Sequence, residues 1–288
     1  MGGPREAREL IYRGYTQAEL DAQYNNAPQA PGGDPEVYFA RYREASRRAR
    51  ERFAGRLDLA YGEGPRERLD VFPAAAGGPT WIFIHGGFWR RLDKSDFSFL
   101  AASFVPAGIS LACVGYALAP QVGVAEIVRQ CRTAAQWVFE HAHEWGGRPQ
   151  RIFAGGHSVG GQLAALVAAT HPVVGLSSIS GLHDLEPVLL SYVNEWARLR
   201  RDELPALNPV DRIPARSLPL LAAVGSEEND EFKRQNALFA EAWRTRGYPT
   251  AEMTVPGANH YTIAQMLGDP ASTLARKLHE QILSAAAV

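Results

Sequence analysis

At 288 residues, with 46% hydrophobic and 10% aromatic content, the chain carries enough apolar material for a large core. Thirty basic residues against 31 acidic ones leave a net charge of -1, which points to neither nucleic acid nor an anionic membrane as the main partner. The first fourteen residues contain no apolar run of signal-peptide type, no stretch approaches the ~20 apolar residues that span a bilayer, and two cysteines, Cys113 and Cys131, give no disulfide framework. The expectation is a cytoplasmic protein that needs no metal and no cofactor.

In chain order, residues 12–24 and 35–53 read as two helices separated by a Pro/Gly loop at 27–34. The second is rich in arginine (Arg41, Arg43, Arg47, Arg48, Arg50, Arg52). That pattern admits an RNA-binding accessory role as well as a solvated face beside packed Val37, Phe39 and Phe53, and the near-neutral whole favours the second. Residues 56–61 and 68–72 alternate polar and apolar in the period of a half-buried hairpin. Trp81-Ile82-Phe83-Ile84 is a continuous apolar run, as a strand covered on both faces requires. Strands follow at 110–115, 152–155, 173–179, 218–224 and 251–255. Between them fall helical stretches at 122–145, 159–170 and 231–247, the first with Val124, Ile127, Val128, Cys131, Ala135 and Val138 on one face. This alternation predicts one domain over 1–288, built on a mostly parallel twisted sheet with helices on both faces. The first 55 residues would form a helical arm. Residues 182–207 interrupt the rhythm and are expected to form a small cap over the site.

The chemistry concentrates in Gly156-His157-Ser158-Val159-Gly160. It follows a predicted strand and precedes the helical Gly161-Gln162-Leu163-Ala164, which is the context of a nucleophile elbow with Ser158 at its tip. A serine hydroxyl needs a base. His260, in the loop after the last predicted strand, is placed to reach across the sheet end. His141 and His143 lie two apart on a helix and point to different faces, which argues against a metal pair. His85 and His157 belong to turn motifs, His171 closes a helix, and His183 falls in the cap, where it could contact substrate. The acid should lie between serine and histidine in chain order, and the loop after residue 225 offers Glu227, Glu228, Asp230 and Glu231. His85-Gly86-Gly87-Phe88-Trp89 directly follows a strand, so the Gly87 and Phe88 amides, with that of Val159, are candidates for an oxyanion hole.

Together these motifs resemble the α/β-hydrolase superfamily, in particular its hormone-sensitive-lipase-like branch. His-Gly-Gly-Phe-Trp is similar to the His-Gly-Gly-aromatic-Trp motif of kynurenine formamidases (arylformamidases). Residues 228–235 look like the acid-loop segment of that family, and residues 15–26 resemble the N-terminal arm of bacterial formamidase-like hydrolases. The resemblance places the acid three residues past Gly225, at Glu228, with Asp230 in reserve. Two departures stand out: Val159 replaces the usual alanine after the nucleophile, and Glu228 replaces the aspartate of the animal enzymes.

The expected activity is therefore hydrolysis of an aryl formamide or small aromatic ester through an acyl-enzyme, with Ser158, His260 and Glu228 as catalytic residues. Trp89, Tyr116, His183, Tyr192 and Tyr261 are the expected substrate contacts, with Phe88 as a further wall. The expected partner is a small ester or amide, with no nucleic acid and no membrane; a homodimer is left open. A broad short-chain carboxylesterase is the alternative within the class. A non-catalytic member of the fold that binds a small ligand is the alternative outside it, disfavoured because serine, acid and histidine are all present in order.

Overall fold

A computed structural model describes residues 9–74 and 77–285. Eight strands form one sheet in the order β1-β2-β4-β3-β5-β6-β7-β8. These are β1 (Arg56–Ala60), β2 (Arg68–Phe72), β3 (Thr80–Ile84), β4 (Ser110–Val114), β5 (Ile152–His157), β6 (Leu176–Ile179), β7 (Leu220–Gly225) and β8 (Thr250–Val255). The first two pair antiparallel and hang on β4; every other pairing is parallel. The hairpin is not amphipathic in the way its alternation predicts. β1 is an edge strand exposed along most of its length, whereas β2, wedged between β1 and β4, is buried on both faces from Leu69 to Phe72. Position in the sheet overrides the local period.

The pleat of β3 divides the core. Ile82 and Ile84 enter one apolar cluster and Trp81 and Phe83 the other. The first cluster is closed by α4 (Val124–His141), α5 (Val159–Ala168) and α9 (Asp230–Thr245), with α1 (Gln17–Tyr24) at its margin. The second is closed by α2 (Glu36–Arg52), the short α3 (Ala101–Phe104) with the 3₁₀ turns of Lys94–Leu100 before it, α10 (Thr262–Leu267) and α11 (Thr273–Ala285). Helices thus cover both faces of a mostly parallel open sheet, as the alternation predicts. The helices at 94–104 and beyond residue 261 are not among the expected elements, although Leu274, Leu278 and Ile282 recur at helical spacing in α11 and are buried.

The arm departs from expectation at its start. Its first helix begins at Gln17 rather than near residue 12. The hydroxyl of Thr16 accepts from the Glu19 N–H, and the Glu19 carboxylate accepts from the Thr16 N–H, a reciprocal cap that fixes the N-terminus there. Tyr12 and Tyr15 pair across a tight turn before it. The arginines of α2 are largely occupied along their own helix. Arg43 pairs with Glu36, Arg47 with Glu44 and Glu51, and Arg48 with Glu44; Arg50 donates to the Ser95 carbonyl at 2.6 Å. Much of what looks in sequence like a basic face is therefore an exposed face with its charges matched.

Residues 182–207 carry three short helices, α6 (Glu186–Leu190), α7 (Asn194–Ala197) and α8 (Leu204–Leu207). They dock against the arm: the Gln17 side-chain amide donates to the Leu190 carbonyl at 2.9 Å and the Tyr192 N–H to Asp21 at 2.7 Å. No helix among the described residues is long and apolar enough to cross a membrane.

Candidate active site

β5 runs two residues further than predicted, to His157, and delivers Ser158 at the carboxyl end of a central strand. Ser158 has φ 57° and ψ −128°, a conformation that L-residues avoid and that an elbow between strand and helix imposes. The turn closes because Gly160 has no side chain: a Cβ there would lie 2.0 Å from the Ile84 carbonyl oxygen. Directly after Ser158, α5 begins, and its first N–H groups, Val159 included, have no carbonyl within the helix to bind.

Across the sheet end, His260 Nε2 lies 3.1 Å from Ser158 Oγ and its Nδ1 lies 2.6 Å from Glu228 Oε2. A carboxylate only accepts, so the Nδ1 proton belongs to that bond and Nε2 is left to accept from the serine hydroxyl. All three side chains are buried. The other oxygen of Glu228 accepts from Ser180 Oγ at 2.5 Å and from the Gly225 N–H at 2.8 Å. Of the four acids in that loop, only Glu228 meets His260. Asp230 has its side chain 79% exposed, 3.7 Å from Lys233, and Glu231 pairs with Arg234.

The glycine turn after β3 packs on the elbow. Gly87, Phe88 and Trp89 all have positive φ (108°, 49° and 57°), a twist that turns successive amides out of the chain direction. The Gly87 and Phe88 N–H groups donate to no carbonyl among the described residues. A Cβ on Gly87 would meet the Arg91 carbonyl oxygen at 2.3 Å, so the turn is built around that glycine.

A cavity of about 350 Å³ opens on Ser158 and His260. Its walls include Phe88, Tyr192 and Tyr261, as expected, and also Trp196, Arg90 and Arg91. Three expected wall residues lie elsewhere. Trp89 is fully buried and donates its indole N–H to Gln162 Oε1 at 3.2 Å, tying the glycine turn to α5. Tyr116, also fully buried, stacks on His85 at 4.2 Å and donates to the His85 carbonyl at 2.8 Å, bracing that turn from behind. His183 is stacked on Phe239 at 3.7 Å with Nε2 against Ser178 Oγ at 2.9 Å, and burial takes its pKa down to about 3. It is a neutral core histidine with no face on the cavity. An aromatic residue near the right motif cannot be sorted into wall or core by sequence, because the two differ only in which way the side chain turns.

The arm is expected from sequence, but its part in the site is not. Tyr24, Asn25, Asn26, Phe39 and Tyr42 line the cavity, and Gln29 reaches under the histidine loop. The Gln29 side-chain oxygen accepts from the His260 N–H at 2.9 Å and its backbone carbonyl accepts from Asn259 Nδ2 at 3.0 Å. The Tyr42 hydroxyl donates to the Tyr261 carbonyl at 2.6 Å. On the acid side, the Asn229 side chain donates to the Ala22 and Gln23 carbonyls at 3.3 and 2.9 Å. Ser180 was missed as well. Its place directly after β6, at the same sheet end as Ser158, is the only signal that could have found it.

Among the described residues no group of three His, Cys, Asp or Glu side chains is arranged to hold a metal. Serine, histidine and carboxylate in line beside free amides can deliver a nucleophile to a carbonyl and hold the resulting oxyanion.

Comparison with known proteins agrees with this fold. A family model described as BD-FAE matches residues 69–181. Kynurenine formamidase of Danio rerio is 27% identical, over 94% of this chain and 98% of the relative; that of Salmo salar is 29% identical, over 79% and 82%. Among solved structures, a candidate thioesterase from a Silicibacter species superposes with a TM-score of 0.79 at 28% identity, covering 92% of this chain and 99% of that one. The esterase LipW of Mycobacterium marinum shares the fold, with a TM-score of 0.71 at 19% identity. The chain is an α/β-hydrolase. Within that class it is an enzyme of the formamidase/esterase type, on the kynurenine-formamidase and hormone-sensitive-lipase-like side of the superfamily.

Proposed function

We propose that the protein hydrolyses an aryl formamide or a small aromatic ester through an acyl-enzyme formed on Ser158. The observation that carries this reading is the hydrogen-bonded line Ser158–His260–Glu228 opening into a cavity walled by Phe88, Tyr192, Trp196 and Tyr261. Ser158 Oγ attacks the carbonyl carbon while its proton passes to His260 Nε2. Glu228 holds the imidazole in the tautomer that can accept it and stabilises the imidazolium that results. The oxyanion is taken by the Gly87, Phe88 and Val159 amides, aided by the positive end of α5. The imidazolium then protonates the leaving amine or alkoxide. Water, deprotonated by the same histidine, releases the acid and restores Ser158. A formyl group needs little acyl space, which suits the valine that follows the nucleophile. We further infer that the chain acts as one domain whose roof is shared by the arm and the 182–207 segment, the latter through Tyr192 and Trp196.

The test is hydrolysis of N-formylkynurenine beside p-nitrophenyl acetate and butyrate, for wild type and Ser158→Ala. The expected result is a preference for the formamide and a loss of at least ~10⁴ in kcat for the variant. Faster turnover of the esters by a wide margin makes the protein a short-chain carboxylesterase. Activity that survives in Ser158→Ala removes the nucleophile.

A further inference from the structure

Two of the residues that line the cavity carry a buried polar atom with no hydrogen-bond partner among the described residues, His157 Nε2 and Asn26 Nδ2. A polar atom buried without a partner is costly, so each calls for one. Burial, and then the nearby His260, keeps the His157 imidazole neutral, and a neutral imidazole nitrogen can donate or accept. The nitrogen of a side-chain amide only donates. Its orientation in Asn26 follows from a chain of bonds. The His260 N–H can only donate, so the atom of Gln29 that meets it at 2.9 Å is the oxygen. Gln29 Nε2 is then the end that reaches Asn26, and at 3.2 Å it must meet Asn26 Oδ1. The Asn26 nitrogen is left over, in a residue only 5% exposed. Local structure does not use it either. Asn26 stands just before the 3₁₀ turn of Ala27–Gln29, where an asparagine commonly caps, yet its side chain makes no capping bond. The neighbouring Asn25 supplies the local side-chain acceptor, to the Ala27 N–H at 3.1 Å.

We propose that Asn26 is a specificity residue whose Nδ2 donates to a carbonyl oxygen on the leaving group of the substrate. The proposal deepens the hydrolase reading of the same cavity and rests on it. Through Gln29, Asn26 is tied to the loop that carries His260. The base hands its proton to the departing amine or alcohol, whereas the acyl oxygen goes to the glycine turn, so a donor anchored to the histidine loop meets the leaving group. Esters or amides of a carbonyl-bearing phenol or aniline are then favoured over the same compounds without the carbonyl, which leave the donor buried and unpaired.

The test is kcat/KM for acetyl- and isopropenyl-substituted formanilides and phenyl acetates, with the substituent ortho, meta or para. In each pair C=CH2 replaces C=O at nearly constant shape. The two members differ in intrinsic reactivity, so the quantity read is their ratio in each variant relative to wild type. Asn26→Asp keeps the oxygen that Gln29 Nε2 needs and removes the donor, while Asn26→Leu removes both. In at least one pair the ratio is expected to fall about tenfold in each variant, through the carbonyl-bearing member, with thermal melts showing that both variants fold. Asn26→Leu should in addition slow both members through Gln29. Ratios within about twofold of wild type in every pair overturn the proposal. That includes an equal slowing of both members, which makes Asn26 a support for the histidine loop and nothing more. A wild type that cleaves neither series sinks the hydrolase reading and this proposal with it, whereas unchanged ratios in an active enzyme sink only the role of Asn26.

Discussion

Glu228 spends its two oxygens differently, and the difference governs the site. Oε1 is held by Ser180 Oγ and the Gly225 N–H, which aims Oε2 at His260. Glu228→Gln keeps the shape but can offer its amide N–H toward Nδ1, favouring the wrong tautomer, and kcat should fall by ~10³–10⁴. Ser180→Ala removes one of the two restraints on Oε1 and should cost about tenfold in kcat with little change in KM. Steady-state kinetics on a common substrate separates the two, and a Ser180→Ala loss as large as that of Glu228→Gln would contradict this division of labour. Gly87→Ala puts a methyl 2.3 Å from the Arg91 carbonyl and should abolish most activity by displacing the Gly87 and Phe88 amides. A thermal melt beside the assay tells a displaced turn from an unfolded protein. At this scale Ser158 and His260 are legible in sequence because a strand, a tight turn and a helix constrain them locally. Glu228 needed the family resemblance to choose it among neighbouring acids, and Ser180 was invisible because its partner lies 48 residues away.

At the scale of elements, the arm is bound into the loops that carry Glu228 and His260 rather than laid over them. The last turn of α1 accepts from Asn229 beside Glu228, and Gln29, in the loop that follows, accepts from both Asn259 and His260. Gln29→Ala leaves the His260 N–H without its side-chain acceptor and loosens the loop that sets the 3.1 Å approach to Ser158. The expected result is a kcat lowered by about tenfold, a KM nearly unchanged, and partial rescue by Gln29→Glu, which keeps an acceptor at that place. A KM rise at constant kcat would mean that the arm only covers substrate. The sequence indicates that the arm is helical, with Tyr38 and Tyr42 one turn apart, but helical periodicity says nothing about which distant loop a helix will meet.

Over the whole molecule, several histidines are buried without charge. Burial holds His183 down to about 3 and His85 down to about 4; His157 is held well below the usual range by burial and then by the neighbouring His260. In the unfolded chain each takes up a proton near pH ~6.5. Between that pH and about 4 the unfolded state therefore holds more protons than the native one, and stability rises with pH. Their contribution is complete above pH ~6.5 and is lost progressively as pH falls toward the folded values, at up to ~1.4 kcal/mol per pH unit for each histidine. Urea-unfolding midpoints measured from pH 8 to 4.5 should decline steadily below pH ~6.5, and His183→Gln should flatten the decline while lowering the midpoint at pH 8. A flat profile in wild type would show that these histidines protonate in the native state.

By itself the sequence determined what local periodicity and turn chemistry can determine: a mostly parallel α/β sheet, the elbow at Ser158, the glycine turn at 86–87 and a histidine beyond the last strand. The sheet is legible from the succession of strand and helix periods along the chain, and each of the other features is written within a dozen consecutive residues, where backbone geometry leaves few alternatives. Tertiary structure alone decided that β2 is buried on both faces while β1 is not, that Trp89, Tyr116 and His183 turn inward rather than to the cavity, and that the arm supplies Gln29 beneath the base. Those outcomes depend on contacts between segments far apart in the chain, and side-chain direction at such contacts follows from packing rather than from residue type.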